Sequence, residues 1–286
     1  MNQRAEDAFR ADIVEVGKRM YARGYVASND GNISIRLDAE TVLTTPKSVS
    51  KGFMTPEMMV VTDLSGKKIR GDRDASSELL MHLEVYKHRP DARAVVHAHP
   101  PVATGFAVAG IPLDRAVLAE VVTTLGSIPI AEYGTPSTPE LPEAVRKYIK
   151  AHDGLLLANH GALTVAGDVF AAYYKMETIE HFAKISLVAR QLGREHLLSR
   201  QEVERLQDLR GNYGIKAPAP ICADGSAAVP ETDPASCQII QAPASSGARL
   251  IPSDPADLDG EIRLSYRELT ALIEDAVKAL LGGQHG

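Results

Sequence analysis

The sequence predicts an α/β fold, because segments with helical and strand periodicity alternate along most of its 286 residues. Three observations support this prediction. Ile13, Val16 and Met20 recur on one side of an amphipathic helix. The apolar run ARAVVHAHPP has the length of a strand, and GLLLANHGALTVAG has the pattern of two strands joined by a turn. With 44% hydrophobic residues, the chain can bury a substantial core.

The first part of the chain predicts two helices and several strands. Helical spacing extends over residues 4–23, and the polar turn in SNDGNISIRL leads into a strand. Ser76 or Ser77 is expected to cap the helix in SSELLMHLEVYKHRPD, which ends before Pro90. The other strands predicted here are TVLTTP, the two halves of MMVVTDLSGKKIRG, and residues 93–99.

The second part continues the alternation. Asn159, His160 and Gly161 interrupt the apolar strand pair GLLLANHGALTVAG. The other elements predicted here are a helix in PPVATGFAVAG, a short strand in GSIPIAEY, a helix in PELPEAVRKYIKAHD, a long helix over 168–192 and a further helix over 199–211.

The composition changes near residue 217 and predicts three regions. Residues 1–216 form the folded domain, and 217–263, rich in Ala, Pro, Ser and Asp, read as a flexible linker. Residues 264–282 have apolar side chains at helical spacing and predict a C-terminal amphipathic helix. Ser265 and Glu268 match a capping box at the start of this helix.

Charge and cysteine content exclude several classes of function. A net charge of −6 argues against a general nucleic-acid-binding surface. Two cysteines, Cys222 and Cys237, do not indicate a disulfide framework and fit a reducing cytoplasm. The N-terminal segment lacks the apolar core of a signal peptide, and no run has the length of a membrane span. We therefore expect a cytoplasmic protein with no nucleic-acid or membrane partner.

Two histidines lie one residue apart in the predicted strand 93–99. Side chains alternate across a strand, so His97 and His99 point to the same side. Two buried imidazoles are costly unless something bridges them, and a divalent metal ion is the obvious bridge. His160, between an apolar strand and a glycine, would complete the three-histidine set of catalytic zinc sites.

Glu78 and several polar turns are further candidates for chemistry. Glu78 follows two serines at the start of a predicted helix, where an acid favours the positive end of the helix dipole. The same helix start, with its two hydroxyl groups, could instead hold a phosphate. The polar side chains that could contribute to an oxyanion site are Asn32, Lys47, Ser48, Ser76 and Ser77.

Five motifs together resemble those of the class II aldolase/adducin family. They are GNISIR (31–36), TTPKS (44–48), SSELLMH (76–82), AVVHAHP (94–100) and NHGAL (159–163). They occur in the expected order over about residues 8–215, whereas the linker and the final helix lie outside the resemblance. The resemblance implies a three-layer α/β/α fold around a largely antiparallel central sheet. It also implies a homotetramer with sites near the subunit interfaces.

The resemblance assigns roles to the candidate residues. His97, His99 and His160 would bind one Zn²⁺ per subunit, and Glu78 would be the catalytic acid and base. Asn32, Lys47, Ser48, Ser76 and Ser77 would form the phosphate pocket. The implied reaction is zinc-dependent retro-aldol cleavage of a ketose 1-phosphate of the fuculose, rhamnulose or deoxyribulose type. Its products would be dihydroxyacetone phosphate and a small aldehyde such as lactaldehyde.

Several positions depart from the family pattern. Lys47-Ser48 stands where threonine or serine followed by glycine is common, so Lys47 either strengthens phosphate binding or turns to solvent. Glu120 lies in a segment where the sugar-phosphate aldolases have a tyrosine, which leaves the aldehyde-end specificity open. Tyr213 is either the C-terminal proton donor of the reaction or a packing residue.

The alternatives within the family are a pentulose-5-phosphate 4-epimerase and a sugar-acid phosphate decarboxylase. An alternative of another class is an adducin-like, non-enzymatic binding module, in which the metal histidines would be lost. The linker and helix 264–282 resemble the encapsulation peptides of bacterial microcompartment cargo, which predicts shell proteins as partners. The same helix could instead pack on its own domain or on a neighbouring subunit.

Overall fold

A single mixed sheet of eight strands forms the centre of the protein. The computed structural model describes residues 3–215 and the single residue Thr270, so the predicted linker and C-terminal helix lie outside the described range. The strands are β1 (Asn32–Arg36), β2 (Thr41–Thr44), β3 (Val60–Asp63), β4 (Lys68–Arg70), β5 (Ala94–Ala98), β6 (Ile130–Ala131), β7 (Gly154–Leu157) and β8 (Gly161–Ala166). Their order is β4-β3-β2-β1-β5-β8-β7-β6, and all neighbours are antiparallel except β6 and β7.

Helices cover both faces of this sheet. They are α1 (Gln3–Ala22), α2 (Leu79–His88), α3 (Pro101–Val108), α4 (Ala119–Thr124), α5 (Glu140–Arg146), α6 (Val169–Gln191) and α7 (Arg200–Asp208), with one-turn helices at Lys51–Phe53, Pro56–Met58 and Leu209–Tyr213. The apolar sides of α1, α3 and α6 share one core with the sheet, and those of α2 and α5 share a second. This three-layer arrangement around a largely antiparallel sheet confirms the expected α/β fold.

The register of the central strands decides which side chains meet α2. Asn32 lies opposite His97, and Ser34 lies opposite Val95, in the antiparallel pair of β1 and β5. Directly opposed residues share a face, and successive residues alternate. Asn32, Ser34 and His97 therefore face the α2 layer, whereas Ile33 packs into the other core.

The start of helix α2 differs from the sequence-based expectation. Helix α2 begins at Leu79, and the cap position is Glu78, which makes no side-chain capping bond. The prediction that Ser76 or Ser77 caps this helix is therefore wrong. The Ser76 hydroxyl accepts a hydrogen bond from the Glu78 backbone N–H, at 3.3 Å. The helix starts later because residues 76–78 form a turn in which the Leu79 N–H reaches the Ser76 carbonyl.

Helix α4 has no counterpart in the predicted elements. Its six residues include two adjacent valines and two threonines, which have low helix propensity and favour strands. Tertiary packing overrides that preference, because Val121 and Val122 are both buried. Gly126, in the left-handed region with φ of 72°, ends the segment by donating to the Val121 carbonyl.

No helix in the described part of the chain is both long and apolar enough to cross a membrane.

Candidate active site and metal centre

Three histidines from two separate stretches of the chain converge at one end of the central strands. His97 lies in β5, His99 directly follows its end, and His160 lies in the turn between β7 and β8. The ring centroids of these residues are 4.8–5.0 Å apart. One ring nitrogen from each lies within 4.8 Å of the others, a spacing that allows a metal ion to be held between them.

The turn that carries His160 is built for close approach to β5. Asn159 has φ of 55°, a left-handed conformation that asparagine tolerates well. At Gly161 a Cβ atom would lie 2.5 Å from the Ala98 carbonyl oxygen and 2.6 Å from the His99 ring. Only glycine therefore allows β8 to lie against the end of β5 while the imidazoles of His99 and His160 face one another.

In both His97 and His99, Nδ1 contacts a neighbouring oxygen, which leaves Nε2 as the nitrogen that can bind a metal ion. The Nδ1–H of His97 donates to the Ala162 carbonyl at 2.9 Å, which leaves Nε2 as the acceptor atom. His99 Nδ1 lies 3.4 Å from an Asp30 carboxylate oxygen, and its Nε2 lies 3.2 Å from the Nε2 of His97. Burial lowers the pKa of both histidines, so their rings are neutral at pH 7. Neutral imidazoles, each oriented by a second partner, are the form that binds metal.

Glu78 lies against the histidine cluster with both carboxylate oxygens. Its Oε1 is 3.1 Å from His160 Nε2, and its Oε2 is 3.4 Å from His97 Nε2. The Asn32 amide donates to Oε2 at 2.8 Å. Burial alone would raise the pKa of Glu78, but the contact with His160 and the hydrogen bond from the Asn32 amide hold that pKa below its usual range. The carboxylate is therefore ionised at neutral pH.

The unpaired atoms of the cluster fit a metal ion. His160 Nδ1 is buried and has no hydrogen-bond partner among the described residues. The facing Nε2 atoms of His97 and His99 both have lone pairs directed into the cluster unless one of them carries a proton. Three imidazoles beside a carboxylate fit the donor types that catalytic zinc sites use.

A polar cavity of about 250 Å³ opens beside the imidazoles. All five residues predicted to form a phosphate pocket lie in its wall, together with Glu78, His99 and His160; the five are Asn32, Lys47, Ser48, Ser76 and Ser77. Lys47 and Ser48 are exposed at its edge, and Ser48 has φ of 58°. The structure thus brings the predicted metal ligands and the predicted oxyanion-binding residues to one site.

A polar ladder between β1 and α2 was not anticipated from the sequence. Asn32 and Ser34 of β1 face three residues spaced four apart: Glu78 at the cap, then His82 and Tyr86 of α2. The Ser34 hydroxyl lies 2.7 Å from His82 Nδ1 and 2.8 Å from the Tyr86 hydroxyl. The sequence contains a signal for this ladder: polar residues two apart on a strand share a face, and polar residues four apart on a helix share a side. Two such polar rows can face each other when the helix packs on the strand.

Asp30 and Lys51 also lie in the cavity wall and were missed. Asp30 could have been predicted, because it lies in the polar turn before β1, directly before the GNISIR motif that contains the candidate residue Asn32. Lys51 carries no such signal, because its burial depends on the packing of a one-turn helix against α1.

Of the two other predicted positions, Glu120 does not line the histidine cavity, and Tyr213 is described only in its backbone. Glu120 lies in α4 and contributes to the wall of another cavity, of about 640 Å³, with Arg23, Tyr25 and Glu180. The backbone of Tyr213 ends the one-turn helix Leu209–Tyr213, and its side chain lies outside the described part of the protein.

The chain resembles known proteins over the region that carries this site. Residues 11–187 match the family described as the class II aldolase and adducin N-terminal domain. The chain is 34% identical to a 5-deoxy-D-ribulose 1-phosphate aldolase of Bacillus thuringiensis serovar kurstaki, over 72% of this chain and 96% of that protein. It is 32% identical to a 3-oxo-tetronate 4-phosphate decarboxylase of Pectobacterium atrosepticum, over 64% and 86%.

A solved structure agrees with these sequence matches. An L-fuculose 1-phosphate aldolase superposes with a TM-score of 0.67 at 28% identity, covering 73% of this chain and 97% of the other. The fold and its relatives define a carbon–carbon lyase of the class II aldolase type. The chain belongs to the class II aldolase/adducin family.

Proposed function

We propose that this enzyme catalyses metal-dependent retro-aldol cleavage of a ketose 1-phosphate to dihydroxyacetone phosphate and a small aldehyde. The observation that carries the proposal is the contact of Glu78 with a three-histidine cluster at the wall of a polar cavity. The names of two relatives, an L-fuculose 1-phosphate aldolase and a 5-deoxy-D-ribulose 1-phosphate aldolase, support the same substrate class.

His97, His99 and His160 are the residues that would hold the metal, which we propose to be one Zn²⁺ per subunit. A bound zinc ion supplies Lewis-acid stabilisation of the negative charge that develops on the carbonyl side of the substrate. The hydrogen bond from His97 to the Ala162 carbonyl and the contact of His99 with Asp30 keep two of the imidazoles oriented.

Glu78 would move the proton in this reaction. Retro-aldol cleavage removes a proton from a hydroxyl group, breaks the adjacent carbon–carbon bond and leaves an electron pair that must be protonated at carbon. An ionised carboxylate in the cavity wall can accept one proton and deliver it to carbon. The Asn32 amide fixes Oε2 and His160 lies against Oε1, so both oxygens of this carboxylate are held in position. Tyr213 remains either the C-terminal proton donor of the reaction or a packing residue.

The serines and the Lys47-Ser48 loop would bind the phosphate. Ser76 and Ser77 precede α2 and line the cavity. The Ser76 hydroxyl accepts a hydrogen bond from the Glu78 N–H and can still donate its own hydrogen to a ligand. Binding energy from the non-reacting phosphate would orient the reacting carbons near Glu78.

A decarboxylase is the second candidate, because a relative of comparable identity carries that name. Loss of carbon dioxide from a 3-oxo acid also breaks a carbon–carbon bond and leaves charge beside a carbonyl group. The histidine cluster and Glu78 would serve both reactions, so the substrate decides between them. A homotetramer and a microcompartment location are further parts of the proposal, and they rest on the family resemblance and on the C-terminal segment.

A substrate panel tests the proposal. Purified full-length protein is incubated with fuculose, rhamnulose and 5-deoxyribulose 1-phosphates, and dihydroxyacetone phosphate is measured with and without a chelator. We expect cleavage of at least one of these substrates, its loss after chelation and its return with zinc. Release of carbon dioxide from 3-oxo-tetronate 4-phosphate alone would favour the decarboxylase. Failure of the protein to retain zinc during purification would favour the adducin-like binding module.

A further inference from the structure

Lys51 places an ammonium group inside the wall of the histidine cavity. The residue is 1% exposed, and it lines the cavity together with Asp30, Ser76 and Glu78. Its Nζ donates to the Asn29 carbonyl at 2.9 Å and to the Val49 carbonyl at 2.8 Å. An ammonium group has three donors, so these two contacts leave one hydrogen uncommitted.

Both hydrogen-bond partners of the Lys51 ammonium group within residues 3–215 are neutral carbonyl groups. No ion pair with this residue occurs within residues 3–215, although Asp30 and Glu78 act on it from further away. A buried charge with only carbonyl partners is costly. Burial accordingly lowers the pKa of Lys51 to about 8, against the opposing effect of the two carboxylates. The cavity therefore has a positive wall group whose charge is incompletely compensated.

The backbone around Lys51 is held firmly against α1. At Gly17 of α1, a Cβ atom would lie 2.7 Å from the Lys51 carbonyl oxygen, so only glycine permits this contact. The exposed ring of Phe53 packs edge-on against Tyr21 of α1, with ring centroids 5.4 Å apart. The one-turn helix that carries Lys51 is thus fixed at both ends, and its ammonium group is preorganised.

We propose that Lys51 is a substrate-binding residue that donates its third hydrogen bond to a phosphate monoester dianion in the cavity. The inference rests on the proposed function, because it concerns the phosphate of the ketose 1-phosphate. Lys47, which the sequence suggests for this role, is exposed and carries its charge on a flexible, hydrated side chain. A desolvated, fixed ammonium group binds an anion more strongly than a mobile one in water.

Neutral variants of Lys51 test the proposal with inorganic phosphate as the probe. Lys51→Gln retains donors for the Asn29 and Val49 carbonyls but removes the charge, whereas Lys51→Met removes both. Lys18→Met is the matched control, since Lys18 is exposed on α1 outside the cavity. Phosphate affinity is measured by calorimetry on the full chain, with and without added zinc. The comparison separates phosphate that binds to the zinc ion from phosphate that binds to protein side chains. The KM for the best ketose 1-phosphate provides a second readout.

We expect both neutral variants to bind phosphate about tenfold more weakly or worse and to raise KM by a similar factor. Lys51→Arg should restore part of the affinity, and Lys18→Met should bind phosphate as the wild type does. Wild-type phosphate affinity in Lys51→Gln would overturn the proposal and leave Lys51 as a link between two loops. Failure of both neutral variants to fold would also count against it.

The outcomes separate this inference from the proposed function. Phosphate binding that depends on Lys51, without cleavage of any ketose 1-phosphate, would contradict the proposed reaction and leave the Lys51 assignment standing. Retro-aldol activity with an unchanged KM in Lys51→Gln would contradict the assignment and leave the reaction standing.

Discussion

Glu78 has the contacts that proton transfer at carbon requires. Its carboxylate is ionised, one oxygen is fixed by Asn32, and the other lies 3.1 Å from His160 in the cavity wall. The carboxylate is therefore oriented by its neighbours before any substrate arrives. Its position distinguishes it from Glu84 of α2, whose carboxylate is paired with His88.

Replacing Glu78 by Gln tests this role at the scale of one side chain. The variant retains the shape and the contact with Asn32 but cannot accept a proton, so kcat should fall by about 1,000-fold. Zinc content, measured by elemental analysis, should be unchanged, because the three imidazoles remain. Glu84→Gln is the matched control and should keep near wild-type activity. Full turnover in Glu78→Gln would remove Glu78 from its proposed role.

His152 makes the stability of the protein sensitive to acid. It is 5% exposed, and its Nδ1 lies 3.2 Å from the Ser127 carbonyl. Burial lowers its pKa to about 4, with Arg89 and Arg210 acting in the same direction and Asp153 opposing them. The folded-state pKa is thus below the ordinary value of 6.5. The stability linked to the neutral ring is complete above pH 6.5 and is lost as the pH falls through about 4.

Comparison with His152→Gln isolates this effect from the other acid-sensitive groups. Between neutral pH and pH 4, the wild type should lose about 3 kcal/mol more unfolding free energy than the variant. The measurement is urea unfolding of both proteins at several pH values after chelation, so that metal binding does not contribute. Parallel pH profiles for the two proteins would show that His152 is not the titrating group.

At the scale of elements, the ladder between β1 and α2 positions the proposed catalytic carboxylate. Asn32 and Ser34 on alternate positions of the strand contact Glu78, His82 and Tyr86 at successive turns. Ser34 is the only described partner of His82 Nδ1, and His82 Nε2 has none among the described residues. The start of α2 is thus fixed relative to the sheet by a small number of polar contacts.

Ser34→Ala tests this ladder. The change leaves the buried His82 Nδ1 and the Tyr86 hydroxyl without their shared partner, which should cost about 1–3 kcal/mol of unfolding free energy. Activity should fall in kcat more than in KM, because Glu78 shifts while the phosphate-binding side chains remain. Ser65→Ala, in an exposed turn, is the control and should change neither quantity. A fully stable Ser34→Ala protein would contradict the role of the ladder.

The sequence predicts these elements unequally, for physical reasons. Strand β5 and the pair β7 and β8 are apolar and long enough to be recognised, and strand alternation correctly places His97 and His99 near each other. Helix α4 was missed because its local propensity favours a strand. The inward position of Lys51 depends on Gly17, which is more than thirty residues away, so no local pattern could reveal it.

At the scale of the whole molecule, the sheet order explains why distant motifs form one site. β1, β5 and β8 are neighbours at the centre of the sheet, although they are far apart in the sequence. Their adjacency places Asn32 opposite His97, and Ala98 opposite Ala162 beside the His160 turn. The five sequence motifs predict that these residues share one site only because the family resemblance implies it. Hydrophobic periodicity predicts individual strands but not their order in the sheet.

The C-terminal segment, residues 217–282, lies beyond the end of the family match. The match ends at residue 187, and the predicted linker 217–263 and helix 264–282 lie outside the described residues, apart from Thr270. Leu272 and Ile273 belong to the apolar side that the helical pattern predicts. A helix joined through a long Pro- and Ala-rich linker can reach a partner without altering the catalytic domain.

We therefore predict that residues 264–282 direct a fused fluorescent protein into a bacterial microcompartment shell. The apolar side should bind a shell protein, so fluorescence should collect in discrete foci that appear only when shell proteins are co-expressed. Leu272→Asp with Ile273→Asp in the same fusion is the matched control and should give diffuse fluorescence, because charge on the apolar side prevents docking. Diffuse fluorescence from the unmodified fusion beside intact shells would contradict shell targeting. That result would favour packing of the helix on its own domain or on a neighbouring subunit. Analytical ultracentrifugation of the full chain and of a chain ending at residue 216 would distinguish these two cases, because only packing on a neighbouring subunit links the helix to the mass of the assembly.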